Sequence, residues 1–153
     1  MTVAASVNAT STVDSAALTL KQPASATRRL LLSYLQAGSR ETADRSYEAV
    51  LMRSTTAGSG GSSLSTPVVR DPDNAAATGV VRYGDTVLPT LSASYPEGVL
   101  LGIHAHQRAV YQWYAAEGHE IVIPKTNDAG VCLIPKSISS STFTMGIVAE
   151  WEE

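Results

Sequence analysis

Apolar and polar residues alternate along much of this chain, and the period is two more often than 3.6. The final segment is the clearest case. Phe143, Met145, Ile147, Ala149 and Trp151 fall on one side of an extended backbone, and Thr142, Thr144, Gly146, Val148 and Glu150 on the other. Tyr47, Ala49 and Leu51 share a face in the same way within Tyr47–Arg53. The apolar run Leu30–Leu35 fits strand or helix by pattern alone; Gly38 and the polar stretch Ser39–Ser46 behind it favour a strand followed by a loop. Further strands are expected at Val80–Tyr83, Thr86–Leu91, Val99–His104, Val110–Ala115, Glu120–Ile123 and Gly130–Ile134. Turn chemistry punctuates them at Asp71-Pro72-Asp73, Tyr95-Pro96-Glu97-Gly98, Gly118 and Asn127-Asp128-Ala129-Gly130. Asn74–Thr78 is expected to form one short helical turn, and Ser54–Thr66, with Gly58, Gly60 and Gly61, reads as a flexible loop.

Many short strands, with no long amphipathic helix and no internal repeat, predict an all-β single domain, a β-sandwich or jelly-roll-like fold. Residues 1–24 stand apart. They are small, polar and low in complexity as far as Pro23, which reads as an extended N-terminal arm ahead of a sandwich domain over 25–153. Val3, Val7, Val13, Leu18 and Leu20 are then the apolar anchors of an arm held by a neighbouring subunit. Removal of residues 1–22 is expected to weaken assembly and leave the domain folded.

Composition narrows the function classes. A chain of 153 residues suits one domain, and at 44% apolar residues it can bury a core without staples. Only 16% of residues are charged, a share made up by Ser, Thr, Ala and Gly, and the net charge is −3. A phosphate backbone would meet little counter-charge, so no nucleic-acid partner is expected. Arg28-Arg29 is the one basic pair. No apolar stretch approaches a membrane span, and the N-terminus lacks the positive start and long apolar run of a signal peptide. For that reason the Asn8-Ala9-Thr10 sequon carries little weight. Cys132, the lone cysteine, lies in Val131-Cys132-Leu133-Ile134 and reads as a buried, inert thiol.

Few residues are arranged for chemistry. Gly98–His106 matches the opening of the first cupin metal motif, with His104 and His106 on one strand face. The Glu that should follow is missing, since Val110 and Tyr111 occupy its places, and the second motif fails at Thr126 and lacks its third His. No metal or other cofactor is expected. Gly58-Ser59-Gly60-Gly61-Ser62-Ser63 lacks the Lys and following helix of a phosphate cradle. No Gly-x-Ser-x-Gly elbow is present, and no carboxylate pair stands out, so no catalytic residue is assigned. Tyr111 and Trp113 share one strand face, which suits core packing, a subunit interface or a sugar ring.

In order along the chain come Arg28-Arg29 before an apolar strand, then Glu48-Ala49-Val50-Leu51-Met52-Arg53-Ser54-Thr55-Thr56-Ala57-Gly58. Thr66-Pro67 follows, leading into Asp71-Pro72-Asp73-Asn74-Ala75-Ala76-Ala77, and the chain closes with Gly146-Ile147-Val148-Ala149-Glu150-Trp151-Glu152-Glu153. This order over roughly 26–153 resembles a family of small virion structural proteins of tailed bacteriophages, head decoration or minor capsid-associated proteins. The resemblance implies a β-sandwich subunit without enzymatic activity. It would be made in the host cytoplasm and located on the virion, at the head surface. Its partners would be the major capsid protein and copies of itself, a trimer being a common solution. A tail or head-fibre-base protein, a carbohydrate-binding module using Tyr111 and Trp113, and a cupin-like metalloprotein are the competing expectations. The His- and aromatic-rich segment Ile103–Tyr114 departs from the family pattern.

Overall fold

A computed structural model describes residues 1–40, 42, 46–106, 108–138 and 142–153, with backbone alone for Ala105, Ser137 and Ile138. Twelve strands run in chain order among these residues: β1 Thr2–Ser11, β2 Ala16–Lys21, β3 Leu30–Ser39, β4 Ser46–Ser54, β5 Ser62–Leu64, β6 Val68–Val69, β7 Val80–Asp85, β8 Val99–His106, β9 Tyr111–Tyr114, β10 Ile121–Ile123, β11 Gly130–Ile138 and β12 Phe143–Glu152. No helix occurs among the described residues. One sheet has the order β10-β3-β12-β1-β6, with β9 also on β3; the other runs β5-β7-β2-β11-β4-β8. Every pairing is antiparallel. The two sheets face each other across one apolar core, so the chain is an all-β sandwich.

The pairings are nested. The first strand pairs with the last, β2 with β11, β3 with β9 and β10, and β4 with β8. The chain therefore behaves as one long antiparallel ribbon, folded at its middle and wound so that successive strand pairs alternate between the sheets. That winding is the jelly roll. The segment between β4 and β8 adds β6 beside β1 and β5-β7 beside β2, which widens both sheets on one side.

This winding overturns the N-terminal arm. Residues 2–11 lie between β12 and β6, and residues 16–21 between β11 and β7, so 1–24 and 25–153 form one sandwich. Val3, Val7, Leu18 and Leu20 are buried in its core and cannot anchor a neighbour. Only Val13 is exposed, at 42%, in the turn between β1 and β2. The cause lies in side-chain size. β1 buries Val3, Ala5, Val7 and Ala9, too small to register as hydrophobic, but they stand opposite Trp151, Ala149, Ile147 and Met145 in register. Large residues on one strand fill the space that small ones leave on the next, and the pair packs to interior density.

The alternation of β12 is as expected: Phe143, Met145, Ile147, Ala149 and Trp151 are all buried. Tyr47, Ala49 and Leu51 likewise point into the core. β2, β4 and β11 read as nearly unbroken apolar runs because they are covered on both faces. Behind them Ala16, Val50, Met52, Cys132 and Ile134 form a second cluster, roofed by Leu88, Leu91 and Val99. The roof segment is not the expected strand 86–91. It makes two isolated bridges, Ser59 to Val87 and Ser54 to Leu91, and Pro89 between them has no N–H for a ladder.

The glycine-rich stretch is pinned, contrary to its composition. The Ser59 and Val87 backbones exchange hydrogen bonds of 3.2 and 3.1 Å, and β5 pairs with β7. No helical turn forms over 74–78; a turn closes at Asn74 instead, whose N–H donates to the Asp71 carbonyl at 3.1 Å. The expected loop after β3 lies partly outside the described residues. The Met1 ammonium and the Glu153 N–H each donate to the other residue's carbonyl, at 3.2 and 3.0 Å, extending the β1–β12 ladder beyond Thr2 and Glu152.

Candidate functional site

The two histidines of the cupin-like motif lie on β8, an edge strand, and alternation decides their side. Ile103 is buried in the core, so His104 projects outward, opposite Glu48 of β4 in the register. The interior of the jelly roll, where a cupin metal would sit, holds neither residue. His106 accepts from the Arg108 N–H at Nδ1, 3.4 Å away. No group of three His, Cys, Asp or Glu side chains able to hold a metal ion occurs among the described residues. Cys132 is fully buried, and desolvation pushes its thiol up to about 12.

Tyr111 and Trp113 do share a face, and it is the inner one. Both are partly buried and pack against the core, beside Ala37 and Leu35. Their neighbour Tyr114 points the other way and is 67% exposed.

Tyr114 belongs to the outer face of the first sheet, where the described residues form no cover like the one 86–98 makes on the second. Four strands present it in register, so its side chains fall in rows. Ala4, Glu150, Tyr34 and Tyr114 form one row, and Ser6, Val148, Gln36 and Gln112 the next. Asn8, Gly146 and Gly38 form a third, closed by Val110, whose Cγ2 lies 3.3 Å from where a Cβ on Gly38 would be. Rows are about 6.6 Å apart along the strands and columns about 4.8 Å across them. The face is mostly polar; Glu150 is ion-paired with Arg70, and Arg40 lies over Gly146 in the third row.

Two rows are tied together. The Tyr114 ring stacks on Tyr34 with centroids 4.5 Å apart and planes tilted by 34°. The Tyr34 hydroxyl donates to Gln36 Oε1, while Gln112 Nε2 donates at 3.3 Å to both the Tyr34 hydroxyl and Gln36 Oε1. Burial and then Tyr114 hold the Tyr34 phenol above its ordinary value, so it remains a donor at neutral pH. Beside this relay is a cleft of about 220 Å³ lined by Ser6, Asn8, Gln36, Gly38, Arg40 and Val148. Sequence reasoning stopped at Tyr111 and Trp113; the register of β9 on β3 decides which aromatic faces out, and register is not written in a four-residue strand.

A larger cleft of about 620 Å³ opens where β3 meets β10, with Arg28, Arg29 and Lys125 around Leu31, Val122 and Pro124. Glu152 and Glu153 also line it. The carboxylate of Glu153 is engaged by the Thr78 and Gly79 N–H groups at 2.9 and 2.8 Å, by the Thr78 hydroxyl at 2.7 Å and by the Trp151 indole at 3.0 Å.

No known protein family, no curated protein and no solved structure matches this chain.

Proposed function

We propose that this chain is a non-catalytic structural protein of a tailed-phage virion, a jelly-roll subunit of the head surface that binds the capsid lattice and copies of itself. The observation that carries the reading is the nested jelly-roll winding, an architecture that viral capsid domains share with lectins and cupins. Fold alone does not set function; the motif order from Arg28-Arg29 to the closing Trp151-Glu152-Glu153 supplies the phage assignment by resemblance. The chemistry of the buried groups supports the non-catalytic part. Asp85 is bound by Arg82, Glu153 by backbone amides, and Cys132 is held as a thiol.

Subunits of this kind strengthen a shell by burying area across junctions between capsomers, a gain that needs no reaction. The test is mass spectrometry and antibody labelling of gradient-purified particles. Stoichiometric recovery of the chain with label over the head is the expected result. Label on the tail would move the subunit to the tail or head-fibre base. Recovery only in the soluble lysate would remove the virion reading altogether.

A further inference from the structure

We propose that the open face of the first sheet binds a neutral glycan, with Tyr114 as the stacking platform and Gln36 and Gln112 as its polar clamp. The inference goes beyond the virion reading and does not depend on it. It starts from a large aromatic side chain that is exposed yet packed against a second ring. One face of the Tyr114 ring rests on Tyr34 and the other is open to solvent. A ring braced by a neighbour has less freedom to lose on binding and offers a flat apolar surface of the kind that the C–H face of a pyranose covers.

The clamp beside it is preset in the same way. Tyr34 orients Gln36, and Gln112 donates into both of them. This relay occupies Gln36 Oε1 and Gln112 Nε2. It leaves Gln36 Nε2 and Gln112 Oε1, a donor and an acceptor, with no partner among the described residues. A hydroxyl both donates and accepts, so a donor and an acceptor on neighbouring planar amides match a pair of vicinal sugar hydroxyls. Further hydroxyl and amide groups, from Ser6 and Asn8, line the adjoining cleft of about 220 Å³.

Charge selects within the glycans. Arg70 pairs with Glu150, so the two rows that hold Tyr114 and the amides carry no unpaired charge to attract sulfate, phosphate or sialic acid; Arg40 lies over Gly146 in the third row and lines the adjoining cleft. The cationic cleft at Arg28, Arg29 and Lys125 lies elsewhere, at the β3–β10 junction, and makes a different prediction for anionic polymers.

The experiment is affinity electrophoresis of the whole chain through gels containing dextran, mannan, xyloglucan or arabinogalactan, with heparin as the anionic comparison. An array of neutral oligosaccharides and titration calorimetry on the best ligand follow. At least one neutral polymer is expected to retard the protein, with Tyr114→Ala weakening binding by about tenfold or more and Tyr114→Phe retaining it. Gln112→Ala, at an exposed position outside the apolar core, is expected to weaken binding with an unchanged melting temperature. It keeps the test valid if Tyr114→Ala loosens the sheet. Absence of binding to every neutral glycan, binding unchanged in both variants, or retention by heparin alone would each overturn the proposal.

Discussion

Asp85 has a side chain with no solvent exposure, and its pairing with Arg82 explains how the interior accommodates it. Arg82 meets it with Nη2 at 2.7 Å and Nε at 3.2 Å, a forked pairing that satisfies both carboxylate oxygens. Residues three apart on a straight strand face opposite ways, so the pair requires a turn of the backbone between them. Gly84 provides it at φ +64°, a conformation that costs other residues. On the far side Gly58 and Gly61 press close; a Cβ on Gly58 would lie 2.5 Å from Asp85 Oδ2. Two of the glycines that suggested a flexible loop, Gly58 and Gly61, sit where nothing larger fits against the ion pair. Glu153 shows a different balance. Burial alone would raise its pKa, but the Gly79 and Thr78 amides, the Trp151 indole and the Thr78 hydroxyl favour the charged form, and the net direction is below the ordinary 4.5. A carboxylate lowered on folding contributes stability above its unfolded pKa and loses it as pH falls through the folded value. Glu153→Gln is therefore expected to lower stability at neutral pH by about 1 kcal/mol, a figure kept small because the group is partly solvated. As pH falls through the lowered folded value of Glu153, the melting temperatures of the two proteins should converge. Curves that stay parallel throughout the acid limb would mean the carboxylate is not the group that titrates.

Strands were legible where one face is strongly apolar and the other polar, as in β12, and where the run is apolar throughout, as in β4 and β11. They were illegible where the buried side chains are small. β1 buries four Val and Ala residues behind exposed Ser6, Asn8 and Thr10, and β2 joins it through a turn fastened by Thr12 and Ser15. Its pairing partner lies some 140 residues away in the register, beyond the reach of any local window. The candidate site was illegible for a related reason. Tyr34, Gln36, Gln112 and Tyr114 become neighbours only when β9 pairs with β3. The expectation that 1–22 is dispensable reverses. Deleting residues 1–12 removes β1, strips one side of β12 and exposes Trp151, Ile147 and Met145. Each large buried side chain so uncovered forfeits about 1.5–3 kcal/mol, a sum comparable to the whole stability of a domain this size. The truncated chain is expected to lack a cooperative thermal transition and to bind a hydrophobic dye. A sharp transition near that of the full chain would restore the arm.

At the scale of the whole molecule, the jelly roll makes its first and last strands the closest of partners. β1 and β12 match over ten residue pairs, from Thr2 opposite Glu152 to Ser11 opposite Phe143. Because β12 closes the first sheet between β1 and β3, that sheet cannot be completed until its most distant segments meet. Closing so long a loop costs entropy before any contact returns it, which predicts slow folding for a chain of this length. The geometry also offers a way to test the cost. Met1 and Glu153 are hydrogen-bonded to each other, so a short glycine-containing linker can join them as a hairpin without moving either strand. New termini fit at the exposed turn of Asn127 between β10 and β11. In that circular permutant the longest-range pairing becomes the most local one, while every native contact except those at the cut is kept. Refolding followed by stopped-flow fluorescence of the two tryptophans is expected to accelerate by about tenfold or more, with little change in the unfolding rate, if β1–β12 pairing forms in the transition state. An unchanged refolding rate with slower unfolding would place that pairing after the barrier. The folding nucleus would then lie in a pairing of shorter range, such as β5–β7.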